Sequence, residues 1–409
     1  MNSIAILGGG TAGTMMANRL QRELGERGWS ITVFDRDNHH IYQPGLLFVP
    51  FGDYSADELV RPRDYFVDDA VDLRIGAIER IDADNKTIVL GHGETFSYDI
   101  LVVATGSHPD PSAMPGLTGA GWYDTAFDFY TLEGASKLAK KLDGFDRGTV
   151  LVHLSEMPIK CPVAPLEFAH LADAYFTKRG IRHRVDLKFV TPLGAAFTKP
   201  RAAAALGGLM AERNIEVVPD FLAERVDGDA KQLHSYDGRA LDYDLLVTVP
   251  PHRGSELISG SDLGDDGGWL PCNARTLQSD AYPEIFGIGD ATNLPTSKAG
   301  SVAHFQSEVL TDNIVRFIDG KQLQPDFDGH ANCFIETGHG KAMLIDFNYD
   351  TEPLPGEFPL PGIGPFSLLQ QSRVNHWGKL GFRWMYWNTL LPGDDLPLDH
   401  RMLMAGKNA

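Results

Sequence analysis

The sequence predicts an α/β protein built from two parallel-sheet units, the first interrupted by the second, and ending in a region of different character. Three observations predict it. A short apolar strand, Ser3-Ile4-Ala5-Ile6-Leu7, runs straight into a glycine-rich turn, as a buried parallel strand entering a helix does. The stretch 111–250 has its own alternation of strand and helix patterns, the signature of a parallel sheet with crossover helices. A further strand, Ile285-Phe286-Gly287-Ile288, runs late in the chain into Gly289-Asp290. The first unit is therefore expected to span 1–110 and 251–325, the second 111–250, and the C-terminal region 326–409.

In the first turn, Gly8, Gly10 and Gly13 of Gly8-Gly9-Gly10-Thr11-Ala12-Gly13 stand at G-x-G-x-x-G spacing. A helix is expected through Leu20, then a strand over Ser30–Phe34 that ends at Asp35, with Arg36 beside it. Glycines for close backbone approach, a helix N-terminus for a pyrophosphate and an acid about 20 residues on for ribose hydroxyls form a complete set. This is a Rossmann-like dinucleotide-binding domain. A second apolar strand leads from Tyr98 into Ala104-Thr105-Gly106-Ser107.

These three turns, in this order, resemble those of the flavoprotein family with two dinucleotide-binding domains. The resemblance covers about the first 320 residues. It implies FAD, with pyrophosphate and adenosine ribose on Gly8, Gly9, Gly10, Thr11, Ala12, Gly13, Asp35 and Arg36. Ala104, Thr105 and Gly106 would lie against it, and Gly289 and Asp290 would meet its ribityl chain or pyrophosphate. Further candidate contacts are Gln43, Ile78, Lys298, Ala299, Gly300 and Lys341. A helix near Val302–Phe317 would aim its N-terminus at the flavin ring.

The second unit offers strands at Thr149–Val152, Asp186–Val190 and Asp244–Val249, and a helix near Leu166–Phe176. Where its phosphate-binding glycines belong, the chain reads His153-Leu154-Ser155-Glu156-Met157-Pro158-Ile159-Lys160-Cys161. No glycine is present, which argues against a nicotinamide nucleotide bound in the usual mode. A thiol stands there instead, followed by Pro162-Val163-Ala164-Pro165-Leu166-Glu167. Cys161 and Cys333 are expected in turns beside flavin-contacting elements, with Lys160 lowering the Cys161 pKa. Cα atoms within about 7 Å would permit a reducible disulfide. Cys272, the third of three cysteines, reads as a buried core residue. Glu167 reads either as a base near the thiols or as an exposed carboxylate on a helix dipole.

Within the flavoprotein family, a cysteine in place of the second glycine loop, a proline-rich turn with a glutamate, and a later cysteine are similar to those of the sulfide:quinone oxidoreductases. The flavin subunit of flavocytochrome c sulfide dehydrogenase is related. The resemblance implies a relay in which sulfide attacks a sulfur bridge between Cys161 and Cys333, leaving a persulfide. The other cysteine, Cys333, would deliver two electrons to the flavin, with Glu167 as base or proton relay. Two departures stand out. No third cysteine falls between Pro109 and Lys160, which puts polysulfide building in doubt. The loop His39-His40-Ile41-Tyr42-Gln43-Pro44-Gly45 has no cysteine to tether a flavin, so FAD is expected to be non-covalent. Adjacent His39 and His40 do not suggest a metal.

Towards the C-terminus, Ala342–Phe347 is an expected strand. Pro353, Pro355, Pro359, Pro361 and Pro365 follow as an ordered spacer unable to hold a helix or a central strand. Between Phe366 and Leu391 there are basic residues (Arg373, Lys379, Arg383), no acid, and Trp377, Trp384 and Trp387. That is the profile of a segment lying on a membrane surface, or else of a helix packed on its own core or in a homo-oligomer. A net charge of −19 excludes nucleic acid as a partner on overall electrostatics. No leader precedes Ile4 and no apolar run reaches the ~20 residues of a span, which favours a peripheral protein on the cytoplasmic side. The expected activity is FAD-dependent sulfide oxidation with electrons passed to a quinone. The alternatives are a flavocytochrome-type sulfide dehydrogenase, an NADH:quinone oxidoreductase and a flavin-binding scaffold without turnover.

Overall fold

The computed structural model describes residues 2–360, 362, 364–396 and 398–408. The first unit runs through β1 (Asn2–Leu7), α1 (Thr11–Leu24), β2 (Trp29–Asp35), β3 (Asp72–Ile75) and β4 (Ile100–Val103). The second runs through β5 (Ala126–Phe127), α2 (Leu132–Gly144), β6 (Gly148–Leu154), α3 (Ala164–Lys178), β7 (Val185–Val190), α4 (Pro200–Glu212), β8 (Ile215–Val218) and β9 (Leu245–Val249). The chain then returns with β10 (Ile285–Gly287), paired to β4, and α5 (Gly300–Ile318), packed on α1.

Each unit is a five-stranded sheet, ordered β10-β4-β1-β2-β3 and β5-β9-β6-β7-β8. Every pairing in both is parallel. Ile4 to Leu7, Ile100 to Val103 and Leu245 to Val249 are buried without alternation, because helices or other layers cover both faces of a parallel sheet.

The C-terminal region adds a third sheet. A hairpin of β11 (Ala331–Glu336) and β12 (Ala342–Phe347) continues into β13 (Gly356–Phe358) and β14 (Phe366–Leu368). The order is β11-β12-β14-β13. Helix α6 (Arg373–Met385) lies against β11, β12 and β14. The proline-rich spacer is thus more structured than expected, since it carries β13. That strand is last in the sheet order and holds no proline itself; the prolines flank it. Pro361 lies outside the described residues.

After α6 the chain crosses back to the first unit. Asn18 Nδ2 donates to the Leu391 carbonyl at 2.8 Å, and Arg19 Nη1 to that of Gly393 at 3.0 Å. No helix among the described residues is long and apolar enough to cross a membrane.

Candidate active site

Close packing decides the first turn. Gly8 has φ +94° and a Cβ there would sit 2.5 Å from the Ala104 carbonyl oxygen. A Cβ on Gly13 would sit 1.8 Å from the Gly8 oxygen, so α1 reaches β1 only because both residues are glycine. Around Gly10 the same construction meets open space, and Gly10 caps α1 without any side chain to satisfy the first-turn N–H groups. An uncapped helix N-terminus facing open space suits an anion.

Asp35 Oδ2 accepts from Gly9 N at 2.7 Å, while Oδ1 has a single long contact, 3.5 Å, to Asp37 N. A carboxylate oxygen is therefore free for a ribose hydroxyl. Thr105 Oγ1 is buried with no partner. Gly289 N is fixed by Gln306 Oε1 at 2.7 Å. Ala299 caps α5, again without a side-chain bond, and α5 begins at Gly300, two residues before the expected start. An uncapped helix, a spare carboxylate oxygen and an orphaned hydroxyl at consecutive turns fit FAD.

The other candidate contacts differ in what the structure does with them. Thr11 Oγ1 bonds the Tyr386 hydroxyl at 2.7 Å. Arg36 is exposed and faces Asp37 at 3.6 Å. Gln43 is exposed at the start of the 43–51 helical segment. Ile78 opens a strand shortly after Gly76, whose N–H bonds the Asp35 carbonyl at 2.8 Å. Lys341 lies in the β11–β12 hairpin, where its carbonyl accepts from Thr337 Oγ1 at 3.0 Å. That hairpin packs on the middle of α3, at His170.

Sequence reasoning missed Arg63. It is buried at 5% exposure, donates to the Gly9 carbonyl and pairs with Asp35 at 3.2 Å, holding the turn's acid in place. His40 was paired in sequence with His39, but the two part in space. His40 Nε2 meets the Tyr386 hydroxyl at 2.6 Å, and burial, then Arg63, lowers its pKa to about 3. His39 faces Asp37 at 3.6 Å.

The second turn is strapped across to the first unit. Cys161 N donates to the Lys298 carbonyl at 2.7 Å. The Lys298 ammonium donates to the carbonyls of Asp290 (3.0 Å) and Thr292 (2.7 Å). Tyr130 Oη donates to the Cys161 carbonyl at 3.2 Å. Cys161 has φ +48°, the left-handed region where a side chain is strained. Lys298 and Asp290 thus bind the thiol loop to the late Gly-Asp turn.

Cys333 lies within strand β11, not in a turn as expected. Three residues on, Glu336 N donates to Glu167 Oε1 at 2.6 Å. Glu167, in the first turn of α3, has no exposed surface, which overturns its reading as an exposed dipole partner. The same Oε1 accepts from the Lys379 ammonium of α6, and Lys379 also donates to the Phe334 carbonyl at 3.1 Å. Glu167 Oε2 is buried without a partner. Cys161, Cys333 and Glu167 lie near enough to feel one another's charge, and Lys379 of α6 acts on both thiols.

Both cysteines are free thiols here and half-buried. Burial pushes the Cys161 thiol up to about 12; Glu167 pushes the same way, and Lys379 pulls back. Burial likewise raises Cys333, helped by charge on Cys161 and Glu167. With Lys160 beside it, the Cys161 pKa is nonetheless raised rather than lowered, because burial dominates. Burial lowers the pKa of Lys160 itself, against the pull of Asp290, Asp128 and Cys161. The cation that favours the Cys161 thiolate is Lys379. Burial works against the Lys379 charge, but Glu167, Glu336 and Cys161 outweigh it and raise its pKa.

The sequence places Lys379 in a surface patch. Helix α6 instead turns it inward, 13% exposed, and turns Trp377 and Trp384 outward, 65% and 68% exposed. Trp387 also leaves the patch: it is buried, stacked on Phe66 at 4.8 Å, with Arg61 over its ring. Cys272 is buried, as expected.

A family model described as pyridine nucleotide-disulphide oxidoreductase matches residues 2–307. The sulfide:quinone oxidoreductase, mitochondrial, of Mus musculus is 28% identical over 397 residues, covering 95% of this chain and 86% of that protein. Its counterpart of the same name in Schizosaccharomyces pombe is 27% identical over 415 residues, covering 95% and 89%. Among solved structures, the sulfide:quinone oxidoreductase from Aquifex aeolicus superposes with a TM-score of 0.78 at 20% identity, over 96% of this chain and 92% of that one.

Proposed function

The chain belongs to the pyridine nucleotide-disulphide oxidoreductase family, and from that premise we propose that it is an FAD-dependent enzyme that oxidises sulfide and passes the electrons to a quinone. The relatives named sulfide:quinone oxidoreductase, which align over 95% of the chain, support the substrate pair. The observation that carries the reading is that Cys161 and Cys333 act on each other and on buried Glu167, whose Oε2 has no partner.

FAD would be held by Gly8 to Gly13, Asp35, Thr105, Gly289 and the N-terminus of α5, and when bound it supplies a two-electron acceptor that quinone can reoxidise. The chain's own residues perform the sulfur chemistry. With the two thiols joined as a disulfide, hydrogen sulfide attacks the Cys161 sulfur. A new S–S bond forms there, the old bond breaks, and Cys333 leaves as a thiolate carrying the electron pair. Glu167 Oε2 takes the proton that the attacking sulfur loses. Lys379 holds the carboxylate in position and offsets the charge that gathers when Cys333 leaves.

The turn at Cys161 also supports exclusion of nicotinamide. It has no glycine to admit a pyrophosphate, and its backbone is already bonded to Lys298. The outward tryptophans of α6 support a peripheral place on a membrane, where a quinone is met. Sulfide-dependent reduction of a soluble quinone is the test. Cys161→Ala and Cys333→Ser should each bring it to background with FAD still bound, and turnover retained in either variant contradicts the two-thiol reaction.

A further inference from the structure

Glu167 can take one proton, after which it must lose it before the next sulfide arrives. Oxidising hydrogen sulfide to sulfane sulfur releases two electrons and two protons, and reducing a quinone to a quinol consumes two of each. A route from the thiols to the surface of α6 would join the source to the sink.

Resting on the sulfide–quinone reading above, we propose that Glu336 and His376 form the proton outlet of the thiol site. They would carry the proton from Glu167 to the face of α6 that meets the membrane. Four ionisable side chains form two neighbouring pairs, Glu167 with Lys379 and Glu336 with His376. Glu167 is fully buried and Glu336 is 1% exposed, while Lys379 is 13% and His376 is 22% exposed. Glu167 Oε1 bonds the Glu336 N–H, and both Glu336 carboxylate oxygens lie at 2.9 and 3.0 Å from His376 Nδ1. His376 and Lys379 are three residues apart on α6 and so share its inner face.

A carboxylate buried on a strand is expensive unless paired, and Glu336 is paired with His376 and acts on the Lys379 charge. Its position between a catalytic acid and a half-exposed imidazole gives it a use. Burial raises the Glu336 pKa, against the pull of the Lys379 and His376 charges. Lys379 touches Glu167 without touching the Glu336 carboxylate. That step therefore passes through the swing of the flexible lysine or through a water. His376 is faced by Glu336 from β11, by Lys379 on its own helix and by Asp53 from the end of the 43–51 segment. Asp53 in turn feels the charge of Lys178 as well as that of His376. Asp53 is the acid that would compete for its proton.

Glu336 and His376 act through Glu167, so they are positioning residues, and loss of rate alone would not identify their role. The test uses FAD-loaded protein with Glu336→Gln, His376→Gln and His376→Ala. Steady sulfide–quinone turnover should fall roughly a hundredfold, with a changed pH profile. The first reduction of the flavin by sulfide should slow much less, because Glu167 can hold one proton. Added imidazole should restore turnover in His376→Ala. Variants that keep the wild-type rate and pH profile overturn the outlet. So do variants that slow both phases equally with no rescue, since that marks a structural role. A wild-type flavin left oxidised by sulfide overturns the underlying reading, and the outlet with it.

Discussion

At the end of β1 the chain turns through Gly8–Gly13 into α1; at the end of β6 it turns through Ser155–Val163 into α3. Both strands are central in parallel five-stranded sheets, and both helices begin without a side-chain cap. The first turn has had its side chains removed, which leaves bare N–H groups around open space. The second carries a strained cysteine, bonds its backbone to Lys298, and places Glu167 in the first turn of its helix. One scaffold thus gives a site for a dinucleotide where glycines permit backbone approach, and a site for thiol chemistry where they are absent. The position on the sheet is shared; the side chains decide what is done there.

Exchanging these properties is the way to break the comparison. The largest effect is expected in the first turn. Gly13→Ala would place a methyl on the Gly8 oxygen, so purified protein should lose its bound FAD, read as the loss of flavin absorbance, and all activity with it. In the second turn Glu167→Gln should do the reverse. FAD stays, while sulfide oxidation drops by about 10²- to 10⁴-fold. That variant also leaves the Lys379 ammonium buried without its anion, at a cost of about 3 kcal/mol, so its thermal midpoint should fall. The smallest effect belongs to the outer face of α6. Trp377→Ala with Trp384→Ala should weaken sedimentation with lipid vesicles, while reduction of a soluble quinone by sulfide stays within about twofold, since neither ring touches the thiol site.

The comparison also separates what sequence reveals from what it does not. The first turn was legible because its signal is local: three glycines, a strand before them and an acid after. Cys161 was legible as an anomaly against that pattern, but its relation to Cys333 was not. The packing of α3 on β11 brings them within reach of each other's charge, and no spacing encodes that; only resemblance suggested it. Lys379 was misread although a signal existed. Trp377 and Trp384, seven apart, share one face of a helix, and Lys379 falls two residues past Trp377, on the opposite face. Counting basic and aromatic residues together hid that phase. Trp387 lies beyond α6, so the helical period does not govern it. Arg63 had no signal in sequence, since it reaches Asp35 from a short turn far along the chain.

The central claim is that the second turn has exchanged nicotinamide for a thiol pair as the entry point of electrons. Anaerobic titration of the FAD-loaded protein, followed in the flavin absorption band, tests it most directly. The account predicts that sulfide bleaches the band within the mixing time of a turnover and that NADH leaves it unchanged. Prompt bleaching by NADH, with sulfide inert, would contradict it.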